Sequence, residues 1–349
     1  MTAVVVKHLE EALERVSTEV AARASALDAD QTDVRVDIAA LGAEGLFDVG
    51  LAGSDLVPAV QVIERVAVSS LAVGFSAWAH RMTIEYVSLA PAAFRAAHLP
   101  TLAAGRRAGV TAMAAGLKQV AGLGEVPLVA TTHRHGLHIT GPIRWASNVF
   151  PYALMVLPAR GEDGATYVVA VDVNAKGIRV DRPPNLMALM ATASTSLYLD
   201  KVHVPLENVI STDLPGFVTH IRPAFLLLQS AFCAGISAAA LQGARAAHGV
   251  LAQQFSGEQV ELTQRHITLR ERLYAFAAAP TEPTIADLLR LRLDAAGLAG
   301  QASRLEVTLA GGAGYALGTA ANRRFREAAF LPIQSPSEGQ LRWELTQYE

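Results

Sequence analysis

The chain predicts a mostly helical α+β fold: an all-helical N-terminal domain (1–107), a small β-barrel or sandwich (108–213) and a C-terminal helical bundle (214–349). Three observations carry this. Up to about residue 107, apolar residues recur every three or four positions. From Gly109, short β-branched stretches separated by turn residues take over. From Pro215, alanine- and leucine-rich helical texture returns and persists. Strands and helices are thus segregated, which excludes a doubly wound sheet, and no Gly-x-Gly-x-x-Gly follows a strand to make a dinucleotide site.

Taken in order, Val5, Leu9, Leu13, Val16 and Val20 line one face of a first helix, with Glu10, Glu14, Arg15 and Glu19 opposite. Helical patterns continue over 38–47, 57–69 and 77–89, and Gly50, Gly53 and Pro58 mark a loop between the first two of these. Strands are expected over 110–114, 128–132, 137–140, 153–158, 167–171, 178–181 and 194–199. Four or five helices follow, broken at Gly257, at 280–283 and at 311–314. The apolar run 224–241 approaches membrane-spanning length. Gln229, Ser230 and Ser237 interrupt it and no aromatic or basic belt frames it, so it reads as a buried helix with no membrane role.

With 349 residues, 51 % of them apolar, the chain can bury two or three cores. Its 29 Lys and Arg nearly balance 32 Asp and Glu, without a run of either sign, which excludes a nucleic-acid footprint. Cys233 is the single cysteine and fits a reducing compartment. Acidic Glu10 and Glu11 fall where an export signal needs apolar residues, so a cytoplasmic location is expected.

Five strings then appear in order. Val62-Ile-Glu-Arg-Val-Ala67 is followed by Ala72-Val-Gly-Phe-Ser-Ala-Trp-Ala-His80. Leu99-Pro-Thr-Leu-Ala-Ala-Gly105 precedes the first strand. Gly141-Pro-Ile-Arg-Trp-Ala-Ser-Asn148 and Ser194-Thr-Ser-Leu-Tyr-Leu-Asp-Lys-Val-His-Val-Pro205 lie among the strands. Leu309-Ala-Gly-Gly-Ala-Gly-Tyr315 is followed by Arg323-Arg-Phe-Arg-Glu-Ala328. Together they resemble the acyl-CoA dehydrogenase superfamily over nearly the whole chain. That resemblance implies a β-barrel between helical domains, the last a four-helix bundle, with FAD held between barrel and bundles. It further implies a homodimer or homotetramer and a small-molecule substrate such as an acyl-CoA. Trp145, Ala146 and Ser147 match the string beside the flavin ring, Ser147 offering a hydroxyl near N5. Thr111, Met113 and Ala114 match the strand at the ring's pyrimidine edge. Phe255, Thr308, Gly311, Gly312 and Ser337 match further cofactor positions.

Departures from the family pattern bear on the chemistry. The dehydrogenases remove the substrate's α-proton with a glutamate, because that proton is only modestly acidic. Counting from Arg326 places this position at Ser335, and the family's alternative position falls near Phe225; neither is acidic. Glu338 restores a Glu-Gly pair only if three residues are inserted. The family arginine that reaches the FAD pyrophosphate is Ala252, the glutamine before Gly-Gly is Thr308, and the Thr-Glu-Pro region reads Ala114-Ala-Gly116, so FMN stands beside FAD as a cofactor. His80 follows Trp78 on the helix from which oxygen-using members place a histidine near the flavin; the ordinary reading beside it is a partly buried, hydrogen-bonded histidine. His133, His135 and His138 could be read as ligands, but Gly136 marks a hairpin tip and no metal site is expected. Three readings stay open: a flavin-dependent acyl thioester dehydrogenase, a flavin monooxygenase of the same fold that needs no such base, and a scaffold without catalysis.

Overall fold

A computed structural model describes residues 3–51 and 55–348; Gly53 of the expected loop and the Val5 side chain lie outside the described residues. Five helices come first: α1 (Ala3–Asp28), α2 (Arg35–Ala43), α3 (Val57–Ser69), α4 (Leu71–Ser88) and α5 (Ala92–Ala103). Buried Ala24 and Leu27 continue the apolar stripe of α1 beyond Val20. The expected helix over 38–47 stops at Ala43, since Gly45 takes φ 68° and buries Leu46 and Phe47 from a turn. α4 starts earlier than residue 77, because the single extended residue Ser70 (φ −157°) is the only break from α3.

The strands are β1 (Gly109–Thr111), β2 (Val129–His133), β3 (Gly136–Ala146), β4 (Leu154–Gly161), β5 (Thr166–Asp172), β6 (Ile178–Val180), β7 (Thr195–Pro205) and β8 (Val209–Ser211), with α6 (Ala114–Val120) inserted after β1. The strand expected over 110–114 therefore ends at Thr111, where good helix formers begin. The strands form one sheet in the order β6-β7-β3-β2-β4-β5-β8, and β5 comes back against β7 to fold it over. Most pairs are antiparallel. β1 and β2 both run parallel to β4, at 154–156 and 160–161 respectively, so α6 interrupts what would otherwise be one edge partner.

Then come α7 (Leu214–Arg245), α8 (Val250–Gln253), α9 (Ser256–Ala278), α10 (Ile285–Ala310), α11 (Gly312–Tyr315), α12 (Ala320–Ala328) and α13 (Glu338–Leu345). These exceed the four or five expected. The first break is at Gly249 (φ 97°), whereas Gly257 sits inside the first turn of α9. α7, about 48 Å long at 1.5 Å per residue, is the central post, packed on α3, α4, α9 and α10. Its most apolar window is 89 % buried within the protein, as the polar interruptions suggested. Gly235 permits the α3 crossing, since a Cβ there would lie 2.3 Å from the Glu64 carbonyl oxygen. Asp213 caps α7 by accepting from Gly216 N at 3.0 Å, and a Thr284–Asp287 capping box opens α10.

α12 docks through charge on α1 and on α10. Arg326 forks onto Asp28 of α1, and Arg324 onto Glu306 of α10. Glu327 is buried, meets Arg323 at 3.8 Å, and has one carboxylate oxygen without a hydrogen bond among the described residues. Burial pushes its pKa from 4.5 up to about 7, against the pull of Arg323. Between those values the folded protein holds a proton that the unfolded chain has released. Its stabilisation is complete below the unfolded value and is lost as pH rises through the folded one. Glu327→Gln, which mimics the protonated side chain, is expected to raise the melting temperature at about pH 8 and to flatten its fall from about pH 5; parallel melting curves for wild type and variant across that range would refute this.

Candidate active site

A cavity of about 780 Å³ opens between the sheet, α4, and the segment after α12, a size usual for a cofactor or small ligand. Trp145, Ala146 and Ser147 at the end of β3 line one wall, and Thr111 and Ala114 another. Phe75, Trp78 and Phe225 form an aromatic floor, with Trp78 edge-on to Phe225 at 5.0 Å and stacked on Phe75 at 5.5 Å. Trp78 Nε1 donates to the Phe225 carbonyl at 3.4 Å. The Phe225 position thus contributes bulk and no acid.

Ser147 is held from behind by Asn148, which is fully buried and left-handed (φ 62°). Its amide nitrogen donates to Ser76 O of α4 at 2.9 Å and to Gly109 O of β1 at 3.1 Å, while its backbone N–H reaches Thr192 O at 2.8 Å. One residue therefore ties helix, sheet and loop at the site. Leu189 (φ 64°) and Ala193 (φ 46°), two non-glycine residues in the left-handed region, bracket Thr192. Such strain persists only where surrounding contacts enforce it. Here the reward is a chain of hydroxyls: Ser147 Oγ to Ser194 Oγ at 2.6 Å, Ser194 Oγ to Thr192 Oγ1 at 2.7 Å, and Thr192 Oγ1 to Leu189 O at 2.7 Å. Thr192 spends its proton on a carbonyl. Ser194 then donates to Thr192 and Ser147 to Ser194, leaving Ser147 free to accept from the cavity; turning the Ser194 proton to Ser147 gives up the Ser194–Thr192 bond and lets Ser147 donate into the cavity.

Ser335 forms part of the opposite wall, and its hydroxyl oxygen is buried without a hydrogen-bond partner among the described residues. The loop that carries it is pinned by Arg292 of α10, whose side chain is completely buried. Arg292 donates to Gln229 Oε1 at 3.0 Å, to Leu331 O at 3.2 Å and to Gln334 Oε1 at 2.8 Å. Gln229 and Gln334 in turn both donate to Ser335 O, at 2.9 and 2.8 Å. Every hydrogen-bond acceptor around this cation is neutral. Among the cavity-lining residues the one carboxylate is Glu125, at the rim, exposed and 3.5 Å from Arg160.

No family model matches the chain, and no curated protein does. Solved structures do. A glutaryl-CoA dehydrogenase in complex with glutaryl-CoA superposes with a TM-score of 0.88 at 18 % identity, covering 99 % of this chain and 95 % of that one. Butyryl-CoA dehydrogenase from Megasphaera elsdenii gives 0.88 at 16 % identity, over 100 % and 98 %. The prolyl acyl carrier protein oxidase AnaB gives 0.86 at 14 %, over 100 % and 99 %. The chain has the acyl-CoA dehydrogenase fold.

Within this dehydrogenase fold the expected site residues divide into two groups. Thr111, Ala114, Trp145, Ala146, Ser147 and Ser335 meet at the cavity; Thr111 also hydrogen-bonds Tyr86 OH at 3.0 Å. Met113 is buried beneath the wall and does not line it. Phe255, Thr308, Gly311 and Gly312 do not line it either; they sit at the α8–α9 junction and around the end of α10. Ser337 caps α13 by accepting from Gln340 N, and Glu338, in that helix's first turn, pairs with Arg342 at 2.7 Å. His80 is fully buried outside the cavity: Nε2 donates to Leu102 O at 2.9 Å and Nδ1 accepts from Gly109 N at 2.9 Å. Burial lowers its pKa to about 4, so it is a neutral ring bolting α4 to α5 and β1. Thr192, Gln334 and Arg292 have no local mark in the sequence; Ser194 opens one of the five strings but is not among the site residues expected from it. Arg292→Met, similar in volume, should destabilise the protein by about 3 kcal/mol by stranding two buried glutamines and a carbonyl, and should raise amide exchange over 331–337; unchanged urea denaturation with unchanged exchange would contradict this role.

Proposed function

We propose that the protein is a flavin-dependent oxidoreductase acting on a small organic substrate by chemistry that does not begin with carboxylate removal of an α-proton. The observation that carries this is the pairing across one cavity of a hydroxyl able to donate or accept, Ser147, with an unpartnered buried hydroxyl, Ser335, where the fold's dehydrogenases place their base. The residues present fit a flavin ring: mainly apolar walls, the Trp145 indole at one side, and few polar groups aimed inward. Trp145, Ser147, Thr111 and Ala114 would hold it, and a bound flavin supplies two-electron redox chemistry. Ser147 would accept from or donate to the ring's redox-active nitrogen according to its oxidation state, the Ser194 proton turning to suit. The dinucleotide half of FAD finds less in one chain. Phe255, Thr308, Gly311 and Gly312 would meet it only from a second copy, for which exposed Val250, Leu251, Tyr315 and Leu317 beside them supply an apolar face. FAD in a homodimer or homotetramer is our reading, with FMN the smaller alternative.

A serine at the position of the fold's base argues against ordinary acyl-CoA dehydrogenation. General-base assistance contributes about 10²–10⁴-fold; Ser335 alone cannot supply it, and Glu338 is engaged with Arg342 outside the cavity. Purified protein is therefore expected to show a flavin absorbance spectrum, and saturated acyl-CoAs of several chain lengths to bleach it slowly or not at all under anaerobic mixing. Ser335→Glu should speed bleaching at least about tenfold. A colourless protein that binds neither FAD nor FMN would support the scaffold reading, and rapid bleaching of the wild type that Glu338→Gln abolishes would restore an ordinary dehydrogenase. Reduced protein that consumes oxygen while modifying an added substrate would identify a monooxygenase. In a second test, Ser147→Ala should shift the bound flavin's reduction potential, and Thr192→Val should shift it in the same direction by less, since Thr192 acts only through Ser194; identical potentials in all three proteins would remove the hydroxyl chain from the mechanism.

A further inference from the structure

His133 ends β2, His138 lies in β3 and His203 lies in β7, three strands that are consecutive neighbours in the sheet with β3 at the centre. The register explains their convergence. His138 is directly opposite His203, and on its other side directly opposite Thr131, two residues before His133. Side chains alternate faces along a strand with period two, so all three imidazoles emerge on one face. Ring centroids lie 4.3 Å apart for His133 and His138, 5.6 Å for His138 and His203, and 6.1 Å for His133 and His203. One nitrogen from each ring lies within 4.8 Å of the others, and no protein group among the described residues hydrogen-bonds any of these rings. His135, the candidate partner suggested by sequence spacing, is in the hairpin turn and stays outside the group.

Three clustered imidazoles without a carboxylate or a hydrogen-bonding partner form a donor set selective for borderline divalent metals. A tetrahedral ion with metal–nitrogen bonds of about 2.0–2.1 Å requires nitrogen separations of about 3.4 Å. The present nitrogens lie within 4.8 Å of one another, and rotation of the exposed His133 and His203 side chains would have to close them to that value. We propose that His133, His138 and His203 bind one divalent zinc-class ion per chain, with the fourth position open to water or an exogenous ligand. The site is separate from the cavity. None of the three histidines lines it, and along the strands the nearest lining residues are Pro142, four residues and about 13 Å from His138, and Leu128, five residues and about 17 Å from His133. The ion would clamp the β2–β3 hairpin to β7, and by binding the folded chain selectively would stabilise it.

Calorimetric titration of tag-free, metal-stripped protein with Zn²⁺ is expected to give a stoichiometry near one. Co²⁺ should give the visible absorption bands of a tetrahedral nitrogen site. His203→Asn and His138→Asn should each weaken Zn²⁺ binding about tenfold or more, equivalent to about 1.4 kcal/mol, and abolish the Zn²⁺-dependent rise in melting temperature. His135→Asn, beside the cluster but not in it, should change neither; circular dichroism confirms that the variants are folded. Overturning results are the absence of saturable binding up to about millimolar Zn²⁺, or an effect of His135→Asn equal to that of His203→Asn, which would mean non-specific capture at the turn.

Discussion

The guanidinium of Arg292, buried at the centre of the helical bundle without a counter-ion among the described residues, is the contact on which the geometry of the cavity depends. Removing a cation from water costs several kcal/mol unless other dipoles replace the solvent. Three carbonyl oxygens do so here, and the Phe232 ring lies 5.9 Å from its carbon. Charge-assisted hydrogen bonds contribute about 1.5–3 kcal/mol each, so the arrangement is favourable only while all three hold. The requirement reaches past Arg292 itself: the two glutamines it orients each donate one N–H to Ser335 O. The segment after α12 has no regular structure to fix its path. It acquires one from a charge that must be solvated internally.

On the sheet side, Asn148 has the corresponding part. Left-handed backbone at this residue turns the chain sharply out of β3, and its side chain bonds two different elements at once. Together with the strained turn around Thr192 it delivers three hydroxyls in a row. The cavity thus lies between two rigid supports, one in the bundle and one in the sheet, with α4 behind both. Such placement of a site at the junction of layers is general for cofactor pockets. It also explains how a common fold accommodates different chemistry: Ser335 and Phe225 can vary in character while the supports keep the walls in place.

The buried histidine and the surface histidines make a useful contrast. His80 has both ring nitrogens satisfied by backbone and is kept neutral by burial, which leaves it a structural bolt. The three sheet histidines have no such partners among the described residues and face outward together. Cys233, similarly, is buried with its pKa pushed up to about 11, and packs as a small apolar residue with little thiolate. Chemical competence follows from surroundings more than from residue type.

Much of the architecture was legible in the sequence because burial patterns are local. Periods of 3.6 and 2 mark which face of a helix or strand avoids water, so the helices, strands, helices order and the buried character of α7 follow from residues 214–245 and their neighbours alone. The short α6 was not legible, since its alanines and leucine suit either structure over so few residues. At the site, Trp145, Ser147, Thr111, Ala114 and Ser335 could be picked out as candidates because they stand within or beside contiguous strings. What the tertiary structure alone decided is which side chains meet. Arg292 and Gln334, Ser147 and Ser194, or His138 and His203 lie tens of residues apart, and their hydrogen bonds and distances depend on strand register and helix crossing. Those arise from packing the whole chain at once, a long-range property that no local pattern encodes.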